Sequence, residues 1–127
     1  MDKDISKTED AQNLHYFWNM EVITQIVIAI VAILHIYFLW LEMFAWTTTG
    51  KKVFKTIPKD LFDKTTSMAA NQGLYNGFLA AGLIWTFFIA DPKWSDNIAL
   101  FFLSCVFVAG LYGAYSVHKR IFIVQGI

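Results

Sequence analysis

Three long apolar runs constrain the fold of this chain more than any other feature. They cover about residues 22–46, 68–90 and 97–117. A bilayer core about 30 Å thick needs about 20 helical residues to cross it, and each run reaches that length. Three such runs in 127 residues leave too few polar faces for a soluble fold. We therefore predict an all-α, polytopic transmembrane helical bundle over residues 22–127, with three spans and a polar, aromatic extracytoplasmic tail at 1–21.

Composition supports this class and excludes another. Charged residues make up 16% of the chain, against about 25% in an ordinary soluble domain. The formal net charge is zero and the chain has one arginine, so it lacks the basic face that nucleic-acid binding requires. We expect membrane lipid as the main partner and no nucleic acid.

The basic residues predict an orientation, because cytoplasmic loops carry an excess of lysine and arginine. The loop at 47–67 and the segment after the third run together hold seven of them: Lys51, Lys52, Lys55, Lys59, Lys64, Lys119 and Arg120. The other side holds three, Lys3, Lys7 and Lys93. We predict a multi-pass protein of the plasma membrane, with the N-terminus outside and the 47–67 loop in the cytoplasm.

Polar side chains inside the spans collect at one end of the predicted bundle. His35 and Glu42 are seven residues apart, close to two helical turns, so they share a face at a separation of about 10 Å. When the spans are laid antiparallel, the polar residues of all three fall in the cytoplasmic half. Intramembrane polar groups are costly and mark functional sites. We predict a cytoplasm-facing polar site for a small molecule, lined by Glu42, His35, Asn71, Gln72, Asn76 and Tyr112.

These residues also have a purely structural interpretation. Amide, histidine and tyrosine side chains in membrane helices often hydrogen-bond to neighbouring helices, and Glu42 could extend to the membrane interface. Small residues spaced by four, at Gly73 and Gly77 and again at Ala109 and Gly113, favour close helix packing.

Motifs that would name a reaction are missing from the sequence. No glycine-rich phosphate loop, His-Glu-x-x-His pair or nucleophile with a nearby base is present. His35 and Glu42 without a third ligand make a weak metal site. We expect no cofactor and no metal, and the sequence assigns no catalytic residue.

Four runs, at residues 41–48, 69–82, 108–113 and 124–126, resemble the small bacterial membrane-protein family catalogued as domain of unknown function 1304. The similarity covers about residues 25–127. It implies a four-span membrane protein without an established activity. The polar and aromatic residues that match the family pattern are His35, Glu42, Trp46, Asn71, Gln72, Tyr75, Asn76, Tyr112 and Gln125.

The resemblance also implies that the run at 124–126 opens a fourth apolar helix. Residues 119–127 would then be its first turns. Without that helix one side of the polar cluster would be open, so a homo-oligomer or partner helices could close it.

Three functions remain open at this point. The chain could bind or transport a small molecule or proton, with Glu42 as the titrating group and His35 as its relay. It could be a membrane-embedded enzyme acting on a lipid or isoprenoid, with the same two residues as an acid–base pair. It could also be a structural or accessory subunit in which the polar cluster holds helices together.

Overall fold

The computed structural model describes the backbone of residues 2–125 and the side chains of residues 2–117. Within that part the regular structure is entirely helical. Its elements are α1 (Asp2–Phe44), α2 (Thr49–Val53), α3 (Lys59–Lys64), α4 (Thr66–Trp85), one 3₁₀ turn (Thr86–Phe88) and α5 (Pro92–Gln125). The all-α prediction is therefore confirmed. Gly126 and Ile127, which the sequence placed in the first turns of a fourth helix, lie outside the described residues.

Two of the described helices are long and apolar enough to cross a membrane: α1, and α5 over Pro92–Val117. Only 17% of the most apolar 18-residue stretch of α1 and 6% of that of α5 is buried inside the protein. A core helix of a soluble protein would be mostly buried, so this exposure favours membrane association. Helix α4 has 20 residues, but Asn71, Gln72 and Asn76 lower its apolar character. The second predicted span thus stays a prediction.

The predicted tail, residues 1–21, is not separate from the first span in the structure. From Asp2 onward it forms the first half of α1, a single helix of 43 residues. Asp2 and Asp4 lie in its first turn, where the exposed N–H groups favour negative charge. Helix α1 ends at Phe44, two residues before the predicted boundary.

Residues 91–96, between the second and third predicted spans, contain Asp91, Pro92 and Ser95 and predict a short turn, but five of the six, 92–96, form the start of α5. Pro92 was expected to stop a helix within a turn at 91–96, but it begins α5. A proline fits the first helical position, because its missing N–H has no partner there in any helix. Asp91 caps this end: its Oδ1 accepts a hydrogen bond from Lys93 N at 3.0 Å, and its carbonyl accepts one from Ser95 N at 3.0 Å.

The 47–67 loop contains two short helices. Residues 59–67 follow Pro58 and have the pattern of a short amphipathic piece, and α3 forms the first six of them. Helix α2 was not predicted. Helix α5 continues through Gln125 with no turn after Val117, where the separate fourth helix was expected to begin.

Helices α1 and α4 form the main packed pair of the fold. A Cβ atom at Gly73 would lie 2.9 Å from Met43 Cγ and 3.1 Å from the Leu39 carbonyl oxygen. A Cβ atom at Gly77 would overlap the Leu39 side chain. At Gly73 the nearest atoms include the α1 backbone, so only glycine permits this approach, whereas at Gly77 the contact is with the end of the flexible Leu39 side chain. Both glycines lie against α1, as their four-residue spacing predicted.

Helix α5 joins the pair near its own N-terminus. A small core of Ile28, Ala32, Leu83 and Ala99 brings α1, α4 and α5 together. Further along α5 the contacts stop: a Cβ atom at Gly110 or Gly113 would meet no atom of the described structure within 4 Å. The small-residue ridge predicted for the third span therefore has no neighbour among the described residues.

Replacing Gly73 by alanine should weaken the fold, whereas the same change at Gly110 should not. Both substitutions gain about 1 kcal/mol, because alanine is a better helix former than glycine. The difference in stability between the two variants therefore measures the effect of packing alone. Gly73→Ala forces a methyl group against backbone and side-chain atoms of α1, and we expect it to be less stable than Gly110→Ala by about 1–3 kcal/mol. Unfolding in a neutral detergent, followed by circular dichroism, measures this. Equal stabilities would contradict the packing described here.

Candidate functional site

A hydrogen bond between two helices forms the centre of the candidate site. Asn76 Nδ2 on α4 donates to Glu42 Oε2 on α1 at 2.9 Å. Both residues are half-buried. Among the residues whose side chains are described, Asn76 is the hydrogen-bond partner of the Glu42 carboxylate. A carboxylate that accepts from an amide makes a stronger hydrogen bond than two neutral groups do.

The local sequence explains why these two side chains meet. Leu41 and Ala45, on either side of Glu42, are 0% and 4% exposed and hold this face of α1 against its neighbours. A Cβ atom at Gly73 would lie 3.0 Å from Glu42 Cβ, so the bare backbone of α4 lies directly beside the carboxylate stem. Asn76 follows Gly73 by three residues, which places it on nearly the same face of α4.

The arrangement leaves unused hydrogen-bonding capacity in a half-buried place. A carboxylate has about four lone-pair positions, and the Asn76 amide group occupies one of them. The Asn76 amide has a second N–H and a carbonyl oxygen. The pair can therefore bind a proton, or it can donate hydrogen bonds to a small polar molecule and accept hydrogen bonds from it.

His35 lies in the packed part of α1 and does not contact Glu42. Its side chain is 9% exposed, and its Nδ1 lies 2.8 Å from the Val31 carbonyl oxygen. Because a carbonyl only accepts, this hydrogen bond requires a proton on Nδ1. The ring also packs edge-on against Phe38, with 5.8 Å between ring centroids. These contacts satisfy His35 within its own helix.

The remaining predicted site residues are exposed. Asn71 and Gln72 lie on α4 within five residues of Asn76, and Tyr112 is 70% exposed on the part of α5 that has no described neighbour. No hydrogen bond among the described side chains joins any of them to Glu42 or Asn76. The structure thus brings together Glu42 and Asn76 and places the other four candidates around or away from them.

An aromatic cluster next to the site was missed in the sequence. Trp46, which the sequence suggested as an interface anchor, packs against Phe54 and Phe62 of the loop, with ring centroids 5.6 and 4.9 Å apart. Its Nε1 donates to Thr65 Oγ1 at 3.0 Å, and Phe62 is completely buried. The sequence contained one indication of this cluster, namely two phenylalanines within an otherwise lysine-rich loop. Large apolar side chains are unexpected in a loop that is fully exposed to solvent.

The described residues include no group of three or more His, Cys, Asp or Glu side chains that could hold a metal ion.

Comparison with known proteins places this chain in a family. Residues 29–127 match the family described as protein of unknown function (DUF1304). The chain belongs to this family. It is also 31% identical over 109 residues to the uncharacterized protein YpaA of Lactococcus lactis subsp. lactis (strain IL1403), a stretch that covers 84% of this chain and 90% of the relative. No solved structure matches it.

The family assignment confirms the resemblance seen in the sequence and assigns no activity. All six predicted site residues, from His35 to Tyr112, lie inside the matched region. The first 28 residues, which form more than half of α1, lie before it.

A double-mutant cycle should detect the contact between Glu42 and Asn76. We expect Glu42→Ala and Asn76→Ala to show a coupling energy of about 0.5–2 kcal/mol, the range for polar contacts between membrane helices. The matched control pairs Glu42→Ala with Asn71→Ala, where no hydrogen bond joins the residues and the two effects should add. The measurement is stability in neutral detergent. Additive effects at both pairs would contradict the hydrogen bond.

The Trp46–Thr65 hydrogen bond should depend on the hydroxyl group and not on the shape of the side chain. Thr65→Val keeps the volume but removes Oγ1, which accepts from Trp46 Nε1 and also donates to the Leu61 carbonyl oxygen at 2.7 Å, and we expect a loss of about 1 kcal/mol. Thr65→Ser retains Oγ and should lose less. If valine and serine proved equally stable in the same unfolding assay, the hydrogen bond would not stabilise the loop.

Proposed function

We propose that this protein is a polytopic plasma-membrane protein that binds, and passes across the membrane, a proton or a small polar solute at the Glu42–Asn76 pair. The proposed spans are about residues 22–46, 68–90 and 97–117, with the N-terminus outside and the 47–67 loop in the cytoplasm. The exposed apolar faces of α1 and α5 support the membrane placement, and the seven basic residues on one side support the orientation.

The observation that carries the proposal is the half-buried carboxylate of Glu42, which has an amide partner across a helix contact. Membrane proteins bury a carboxylate at a cost of a few kcal/mol, and adhesion alone is available from uncharged side chains. Glu42 lies four residues before Trp46, so the carboxylate is about 6 Å from the proposed cytoplasmic boundary. That depth allows exchange with the cytoplasm while most of the span separates the pair from the outside.

The exposed amides of α4 extend the polar surface toward the cytoplasm. Gln72 precedes Asn76 by four residues and therefore lies one turn away on a similar face. Asn71 and Tyr112 are exposed, so in the proposal they reach solute or a second helix through their outward faces. Open space beside Gly110 and Gly113 of α5 would accommodate lipid or a partner helix, which is consistent with a homo-oligomer.

Flux measurements on the full chain in proteoliposomes test this function. A pH-sensitive dye inside the vesicles reports protons, and light scattering during osmotic shrinkage and swelling reports entry of glycerol and urea. We expect the wild type to exceed empty vesicles for at least one of the three, and Glu42→Gln to reduce that flux at least tenfold. Such a reduction follows because glutamine keeps the shape and loses the titrating, charged group.

The matched control for this experiment is Glu9→Gln. Glu9 is an exposed glutamate on α1, 33 residues before Glu42, so the same chemical change is made outside the proposed spans. It should transport as the wild type does. Identical fluxes in empty vesicles, wild type and Glu42→Gln would end the proposal.

A structural or accessory role is the second candidate, favoured by the fit of Gly73 and Gly77 against α1. In that case Glu42→Gln and Asn76→Ala would alter stability or assembly while no flux distinguishes the wild type from empty vesicles. Action on a lipid or isoprenoid has no comparable support, because His35 Nδ1 bonds to the Val31 carbonyl of its own helix and no hydrogen bond between the described side chains joins His35 to Glu42.

A further inference from the structure

A second polar feature lies at the opposite end of the bundle from Glu42. A cleft of about 500 Å³ opens between the middle of α1 and the turn that joins α4 to α5. Ligand pockets for small organic molecules have volumes of about 300–1,000 Å³, so the cleft is of suitable size. The sequence did not indicate it, because its polar residues lie on separate elements that are far apart along the chain.

Hydrogen bonds fix one wall of this cleft. Ser95 Oγ donates to the Thr86 carbonyl oxygen at 2.8 Å, which ties the start of α5 to the 3₁₀ turn. Thr86 is 5% exposed, and its own hydroxyl donates to the Leu83 carbonyl oxygen at 2.6 Å. The opposite wall is a face of α1, which contributes residues from Phe17 to Ile28. The cleft is therefore built on regular, hydrogen-bonded elements.

The charge of the cleft is negative. Glu21 enters from α1 and Asp96 from α5, so its two carboxylates come from separate elements. The residues that line it include no lysine, arginine or histidine in the described part of the chain. Across the described side chains, neither carboxylate takes part in an ion pair or hydrogen bond. Gln25 and Thr24 add neutral polar groups beside Glu21.

The rest of the lining is apolar and partly aromatic. Phe17 and Met20 face the cleft from α1, and Phe87 and Ile89 from the turn. Aromatic faces attract ammonium groups, and carboxylates neutralise them. We propose that this cleft binds an ammonium group carried on an apolar body, from either an aminolipid headgroup or a soluble amphiphilic amine.

This site is independent of the Glu42–Asn76 pair. Glu21 and Glu42 lie on the same helix 21 residues apart, a separation of about 32 Å along its axis. The α1 residues of the cleft all precede residue 29, where the match to the family begins. The proposed amine site is thus partly built from a segment that the family match does not cover.

Titration calorimetry on the full chain in dodecyl maltoside tests the soluble amine, with dodecyltrimethylammonium as the probe. Dodecyl maltoside carries the same dodecyl chain on an uncharged headgroup, so it is the matched control for the apolar part of the probe. We expect the wild type to bind the probe, and Glu21→Gln with Asp96→Asn to weaken binding at least tenfold. Both residues are exposed, so neither change should disturb folding. Glu9→Gln is the control and should bind as the wild type does.

Native mass spectrometry tests the lipid source, comparing protein that carries phosphatidylethanolamine with protein that carries phosphatidylglycerol, which has no amine. Selective retention of phosphatidylethanolamine, lost in the double variant, supports the aminolipid. Probe binding lost in that variant without lipid selectivity supports the soluble amine. If the double variant retains both ligands as well as the wild type does, or the wild type binds neither, the proposal is overturned.

Discussion

The close approach of α1 and α4 at Gly73 is the contact on which the rest of the structure depends. Helices in a bilayer gain little from the hydrophobic effect between themselves, so fit and polar contacts decide their association. With no side chain at Gly73, the α4 backbone reaches the stem of Glu42 and the Leu39 carbonyl. The Asn76 amide then comes within hydrogen-bond distance of the carboxylate. The same close approach of α1 and α4 therefore determines both the helix packing and the Glu42–Asn76 hydrogen bond.

The two ends of the helix pair differ in construction. At one end, beside the Glu42–Asn76 hydrogen bond, Trp46 packs on the buried Phe62 and so holds the loop between α1 and α4 against the end of α1. At the other end α5 adds a third wall, and the helices separate enough to leave the cleft. Helix α5 packs only through its beginning within the described structure, where Ala99 and Phe102 meet α1 and α4.

Several features could be predicted from the sequence, since apolar length and four-residue spacing are local properties. They are the helical class, the two most apolar spans, the family and the Gly73–Gly77 packing. Depth in the membrane implied that Glu42 and Asn76 line one site, but it implied neither their direct hydrogen bond nor the exposure of Asn71, Gln72 and Tyr112, because helix rotation depends on packing. Pro92 shows a different limit: a proline can follow one helix or begin the next. The cleft could not be predicted, because it depends on the distances between three elements that no local stretch of sequence determines.

The length of α1 has a mechanical consequence. At 1.5 Å per residue its 43 residues extend about 65 Å, roughly twice the thickness of a bilayer core. Unbroken helical hydrogen bonding makes the N-terminal half of α1 a rigid continuation of the half that carries Glu42. If the Glu42 half tilted by about 10°, a point about 30 Å further along the helix would move sideways by about 5 Å. Small rearrangements beside Gly73 would therefore produce larger displacements toward the N-terminal end of α1.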